Sequence, residues 1–527
     1  MPRHDGRIAL EQIRVFSYDE EILAQHLDTL CSNRVLLSRF LGKTPGRNQL
    51  VLSPLATDYK AETPVFDVRR VAGSGQSNRV DVAFFSDGYT LHEKEKFFED
   101  VDFLVQAISS NQTFHTVSPL MNFWAAFTPS RESGVGVNGR PKDTPFGLYR
   151  DGTELRALYY ARPDVARASC DSLRSKCDYP VLVGLGGEFV TITPSLVNGP
   201  LVLRHELGHS VIGVGEEYDG GFAYFGANAA HYLNDPMPWA HWMSERLDPV
   251  RVERSVMPMQ AYPWTLLKNS TPWIATFNSS GTYSRHLVRF SLSGLPSSED
   301  LTVLLDGENI YWKAKEGLGV DRWHYDIYRD TPLSGGHHEL TFKLNNWRLE
   351  GIAQLCSVEI LEFGNTDEFN ATPGFYGVFP TFSETNGTSY RPTNEDCLMR
   401  ITNEPNFCSV CAEGLWLSLL ERVGLIDDVR TRCIKDTATG RWIREVQVDL
   451  IPLSCPREPR GEYMIEWIKD GARIPAFSNA TVLSLNDSEA RGKYEVFVQF
   501  FTDEVRSDPQ GLLKAHYELS ISSTCTR

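Results

Sequence analysis

Apolar residues recur along this chain at two periods, and the switches between those periods divide it into parts. Residues 80–85 (VDVAFF) and 122–127 (NFWAAF) are short, apolar and β-prone, whereas residues 91–108 place Phe97, Phe98, Val101, Phe103, Leu104 and Ala107 in a helical pattern. Strand, helix, strand in that order predicts a right-handed crossover and a largely parallel sheet. Residues 179–185 form a further apolar strand, and after Gly186 and Gly187 the run 188–193 (EFVTIT) alternates as an edge strand does. A β-strand pattern then repeats at 286–292, 301–305, 323–328, 338–342 and 356–361, with turn residues between the runs, which predicts a sandwich. A second set at 446–450, 463–467 and 492–500 predicts another sandwich, immunoglobulin-like, with Trp467 in its core and Tyr494 near a strand start. Residues 1–60 are poorly periodic apart from a helical pattern over 19–30, and no role is assigned to them.

Composition narrows the class of partner. The chain has 527 residues, too many for one core, and a formal charge of −16 without any basic cluster. Nucleic acid and anionic membrane surfaces are therefore not expected as partners. No apolar run is long enough to span a membrane, and the first residues have no apolar core like that of a signal peptide. Other features point outside the cell. Seven N-x-S/T sequons occur, at Asn111, Asn269, Asn278, Asn370, Asn386, Asn479 and Asn486, and the ten cysteines include the close pair Cys170 and Cys177. Secretion is the expectation, in conflict with the missing signal. Cys397, Cys408 and Cys411 read as disulfide partners, with free buried thiols and a zinc site as competing readings, since no second C-x-x-C or histidine pair accompanies them. Cys455 and Cys525 bracket the C-terminal segment and are candidates to close it.

Residues 205–218, HELGHSVIGVGEEY, are the one stretch whose spacing dictates a chemistry. On a helix His205 and His209 share a face and can aim at one metal ion, while Glu206 can act as general base on a metal-held water. Pro200 suits the first turn of that helix. A catalytic zinc needs a third protein ligand and an open position. Gly213 can adopt a left-handed conformation, end the helix and turn the chain back, so that Glu216 falls three residues beyond it. The Gly-x-x-ligand spacing resembles the metzincin layout, with one extra residue between His209 and the glycine. That insertion leaves Glu217 as an alternative to the favoured Glu216.

HELGHS followed by GVGEEYDGG resembles the active-site segment of the IgA-peptidase family of zinc metallopeptidases, with Glu216 where that family usually has Asp. Residues 78–90 (NRVDVAFFSDGYT), 130–135 (SRESGV) and the block 390–411, carrying YRPTNEDCLMR and FCSVC, are similar to other segments of the family. The resemblance covers less than half of the chain. It implies an α/β zincin (metzincin-like) catalytic domain, with Met399 as its methionine turn and the edge strand 188–193 pairing with extended substrate. Tyr218 and Tyr390 are candidate oxyanion donors.

The resulting expectation is a secreted zinc endopeptidase acting on extracellular proteins or peptides. Zn2+ is held by His205, His209 and Glu216, and Glu206 is the base. The domains read as an N-terminal segment (1–60), a catalytic domain in two parts (61–262 and 363–427), an inserted β-sandwich (263–362) and a C-terminal immunoglobulin-like β-sandwich (428–527). The inserted sandwich either restricts access to the cleft or only supports it, and both β domains are candidates for glycan or protein contact. Two rival functions use the same residues: a zinc-dependent amidase or deacylase, and a non-catalytic binding protein on a peptidase scaffold.

Overall fold

The protein is described from a computed structural model over residues 63–110, 113–150, 158–185, 199–245, 249–318, 321–401, 404–437, 439–454 and 461–525. The segment 1–60 with its helical pattern, the edge strand 188–193, Asn111, Cys31 and Cys455 lie outside these residues.

The architecture is β-rich. The first sheet runs β1 (Asp67–Ala72), β3 (Met121–Phe127), β2 (Val80–Asp87), β4 (Tyr179–Gly184) in space. Its two pairings with β2 are parallel, as the strand-helix-strand order predicts, and β1 joins as an antiparallel edge. Every residue of β2 is buried, because helices cover both faces of the sheet. The pleat sends Val82 and Phe84 into the core that holds Phe97, Val101 and Leu104 of helix α1 (Lys94–Ser109). It sends Ala83 and Phe85 into a second core with Ala166 and Cys170 of helix α2 (Pro163–Ser172). Helix α3 (Gly199–Leu207) packs beside α1 on the first face.

Segments that carry the family resemblance turn out to brace this sheet. The Asp87 carboxylate at the end of β2 accepts the backbone N–H groups of Phe146 and Leu148 and the Thr144 hydroxyl, each at 2.8 Å. Gly88 N–H donates to Ser130 Oγ at 2.8 Å, so the DGYT turn and the SRESG segment are joined directly.

Residues 255–363 form two facing sheets. One has Trp323–Arg329, Arg285–Ser293, Gln354–Phe363 and Ser255–Ala261 side by side, and the other has Leu301–Leu305, Gly336–Leu344 and Trp273–Ser279. Phe277, Phe290, Leu340 and Phe342 meet in the core between them. The five strands read from the sequence are all present. Trp273–Ser279 and Ser255–Ala261 are further strands without a clear apolar alternation, since their exposed and half-buried positions mix polar residues into the apolar run.

The C-terminal region also builds two sheets, Ile426–Lys435, Trp442–Leu450 and Val482–Asn486 against Ala472–Arg473, Glu462–Lys469, Gly492–Phe501 and Lys514–Ile521. Trp467 is fully buried and its indole N–H donates to the Ala480 carbonyl at 2.9 Å. The Tyr494 hydroxyl donates to the Ala490 carbonyl four residues upstream at 2.8 Å, a fastening common in such sandwiches.

Two readings of the cysteines need correction. Cys525 is bonded to Cys433, not to Cys455, because the first strand of this region, Ile426–Lys435, brings Cys433 within 5.8 Å Cα to Cα. Cys397, Cys408 and Cys411 are not joined by disulfides, although they are neighbours; the sulfurs of Cys397 and Cys411 stand 3.8 Å apart, far beyond a covalent S–S bond. The pair Cys170–Cys177 is a disulfide, as its spacing indicates. Among the described residues no helix is long and apolar enough to cross a membrane.

Candidate active site

Helix α3 carries His205 and Glu206 and does not stop at His209. It continues as a π-helical turn over Gly208–Ile212, and Gly213 then ends it in the left-handed conformation (φ 70°, ψ 42°). A π turn accommodates one residue more than an α turn. It therefore absorbs the extra residue between His209 and the glycine, which the linear spacing left without an explanation. The chain turns back with Gly215 N–H bonded to the Phe225 carbonyl and Glu216 N–H to the Ala223 carbonyl, at 2.8 and 2.7 Å.

This return places the Glu216 carboxylate against both imidazoles. Its Oε1 is 3.1 Å from His209 Nε2, its Oε2 is 3.3 Å from His205 Nε2, and the two Nε2 atoms are 3.2 Å apart. All three side chains are buried. The far ring nitrogens are engaged by backbone: His205 Nδ1–H donates to the Leu398 carbonyl at 3.2 Å and His209 Nδ1–H to the Val214 carbonyl at 2.7 Å. Carbonyl acceptors at Nδ1 fix a tautomer whose Nε2 lone pair faces inward. Two such lone pairs converge here beside a carboxylate whose Oε2 has no hydrogen-bond partner, and these three groups can hold a metal ion. With protons alone, burial opposes charge on His205, but the Glu216 carboxylate outweighs it and pushes the imidazole up to about 9. The Glu216 carboxyl is correspondingly held far below the usual range, the two imidazoles overcoming its burial. Burial raises the Glu206 carboxyl, opposed by the same imidazoles.

Glu217 goes elsewhere. Successive residues of an extended segment point to opposite sides. Its Oε1 accepts from Asn228 Nδ2 at 3.0 Å and from Cys411 Sγ at 3.6 Å, and burial raises its carboxyl.

Met399 lies under the helix. Gly208 packs so closely on it that a Cβ there would come within 3.0 Å of the Met399 sulfur and 2.9 Å of the Phe407 ring. The Met399 carbonyl accepts Glu217 N–H at 2.9 Å, and the preceding carbonyl is the one that holds His205. The turn thus supports both histidine and loop. Tyr218 stacks on the His205 ring and its hydroxyl donates to Glu216 Oε1 at 2.9 Å, with 39 % of the residue exposed. Tyr390 pairs through its backbone with Ala230 in the strand Thr388–Arg391.

Sequence reasoning missed the polar framework around this centre. Arg400, fully buried, donates from Nη1 to the Glu217 carbonyl (3.1 Å) and to Asp219 Oδ2 (2.6 Å), and from Nη2 to Glu395 Oε1 (3.4 Å). Glu395 also accepts from Arg289 at 2.7 Å, which ties the sandwich at 255–363 to the methionine turn. The signal was present in the quoted motifs, where Arg400 follows Met399 and Asp219 follows Tyr218, but nothing in linear spacing pairs two residues so far apart.

Residues 70–253 match the family model for IgA Peptidase M64, so this stretch of the chain is similar to that family of peptidases. None of the curated proteins compared matches it. Among solved structures, a family 35 carbohydrate-binding module from an environmental isolate is 12% identical over 18% of this chain and 74% of its own, with a TM-score of 0.15. An exo-β-1,3-galactanase from Phanerochaete chrysosporium is 15% identical over 20% of this chain and 29% of its own (TM-score 0.14). An exo-chitosanase from Amycolatopsis orientalis is 11% identical over 47% and 25% (TM-score 0.13). Likenesses this partial carry no argument about this chain.

Proposed function

We propose that this protein is a zinc-dependent endopeptidase that cleaves peptide bonds of extracellular proteins, with His205, His209 and Glu216 as metal ligands and Glu206 as general base. The observation that carries this reading is the convergence of two backbone-oriented Nε2 atoms and one buried carboxylate on a single point. When bound there, zinc supplies Lewis acidity, lowering the pKa of a coordinated water and polarising the scissile carbonyl. His205 and His209 hold their tautomers through the Leu398 and Val214 carbonyls, and Glu216 supplies the charge that neutralises part of the ion's. Glu206 takes a proton on its carboxylate from the attacking water and passes it to the leaving amine nitrogen. The fold of the catalytic part as a metzincin-like zincin, and of the C-terminal sheets as an immunoglobulin-like domain, belongs to the same reading. So do the domain limits 61–262, 263–362, 363–427 and 428–527. The disulfides Cys170–Cys177 and Cys433–Cys525 support secretion.

The test is a proteome-derived peptide library incubated with the full chain before chelation, after chelation and after return of zinc. Internal peptide cleavage that disappears and then returns is expected. Release of acyl or terminal groups without internal cleavage would replace the reading by the amidase or deacylase one, and zinc binding without turnover by a binding protein.

Tyr218 is the proposed oxyanion donor, because its hydroxyl already reaches the ligand set from the exposed side. Tyr218→Phe is expected to lower kcat by about 10²-fold while KM stays within about twofold. Steady-state kinetics on one cleaved peptide decide it, and an unchanged kcat would leave Tyr218 as a support for Glu216 only.

A further inference from the structure

A second group of metal-ligating side chains lies directly behind the candidate active site. Cys397, Cys408, Cys411 and Glu217 each offer a ligand atom, these atoms all lie within 4.8 Å of one another, and all four residues are buried. They come from three separate segments: the loop that returns from α3, the methionine turn, and the start of helix α4 (Ser409–Leu420).

We propose that these four residues form a second, structural metal site that takes zinc as a closed tetrahedral centre of three sulfurs and one oxygen. The 3.8 Å between Cys397 Sγ and Cys411 Sγ is too long for a disulfide. It is the edge of a tetrahedron with metal–sulfur bonds of about 2.3 Å, which measures about 3.8 Å. The Cys408 backbone N–H donates to Cys397 Sγ at 3.3 Å, as outer-shell donors do to ligating thiolates. Asn228 holds Glu217 Oε1, while Oε2 is fully buried with no hydrogen-bond partner. A buried carboxylate in that state is costly unless it is paired or coordinates a metal. Three soft sulfurs favour zinc over magnesium or calcium, and four protein ligands leave no open position, so the centre is structural. The C-x-x-C spacing at a helix start is also that of redox dithiols. Cys408 and Cys411 are only 3 % and 0 % exposed, however, which denies a partner disulfide access to them.

The site has a consequence for catalysis, and this part rests on the reading of His205, His209 and Glu216 given above. Glu217 follows Glu216 directly, and its N–H is bonded to the Met399 carbonyl, while Leu398, next to Cys397, holds His205. An ion bound to Glu217 and Cys397 fixes both sides of the catalytic centre relative to each other.

Cobalt substitution of the full chain provides the test, because thiolate-to-cobalt charge transfer reports sulfur ligation without reference to activity. The band is expected in the wild type, retained in His205→Ala/His209→Ala and lost in Cys408→Ser/Cys411→Ser. X-ray absorption at the zinc edge should show bonds of about 2.3 Å in the native protein. Should the cysteine variant fail to fold, Glu217→Gln keeps every sulfur and is expected to weaken zinc retention by about tenfold or more against a competing chelator. Absence of sulfur-bound metal in the wild type, or a Cys397–Cys411 disulfide in the native chain by mass spectrometry, overturns the proposal. If the histidine variant keeps the band while peptide cleavage proves independent of metal, the second site stands and only the catalytic reading falls.

Discussion

Glu206→Gln is expected to lower kcat for peptide hydrolysis by about three orders of magnitude while zinc content stays near the wild-type level. General acid–base catalysis by a positioned side chain contributes about 10²–10⁴-fold. Here the same carboxylate serves both proton transfers, so the upper half of that range applies. Glutamine keeps the volume and one hydrogen-bonding oxygen but cannot take up the proton. Glu206 stands outside the three-residue group that can hold the metal, which is why its loss should spare binding. Metal analysis and single-turnover kinetics on one cleaved peptide check both halves of the expectation. Wild-type turnover in this variant would remove Glu206 as the base, and loss of zinc would make it a ligand instead.

Arg400→Met is expected to destabilise the folded protein by about 3–5 kcal/mol, the usual cost of removing one partner from a buried ion pair. Arg400 and Asp219 both have side chains at 0% exposure, with Glu395 nearby at 15%, so the substitution strands carboxylate charge away from water. Methionine fills most of the volume, which leaves electrostatics as the main loss. Because Arg400 also donates to the Glu217 carbonyl, the return loop should loosen with the fold. Chemical denaturation with a probe in the 199–254 region measures the first effect, and zinc affinity at the histidine site the second. A loss within about 1 kcal/mol would mean that water reaches the two acids and that this network is ordinary surface chemistry.

The strands and helices of the first sheet were legible because each buries a periodic apolar face, and the pattern of Phe97, Val101 and Leu104 could belong to nothing else. Local spacing also exposed His205, Glu206 and His209, since one helical turn brings residues four apart together whatever surrounds them. The exposed strands Trp273–Ser279 and Lys514–Ile521 were not legible, for half of their positions face water and accept any residue. The π turn was equally hidden. An inserted residue in a helix has the same composition whether it bulges or frays, and only the packing of Gly208 on Met399 and Phe407 shows where the chain must stay close.

The sequence by itself determined the spacing of His205, Glu206 and His209, the left-handed Gly213 and those sandwich strands whose apolar positions alternate, because each depends on contacts within a few residues or on a period. Tertiary structure alone decided that Glu216 faces the histidines while Glu217 faces three thiols. It also decided that Cys433 bonds Cys525, and that Arg400 joins Asp219 and Glu395. Those choices depend on which distant segments meet, and that is set by how several hydrophobic faces are buried together rather than by any neighbour along the chain.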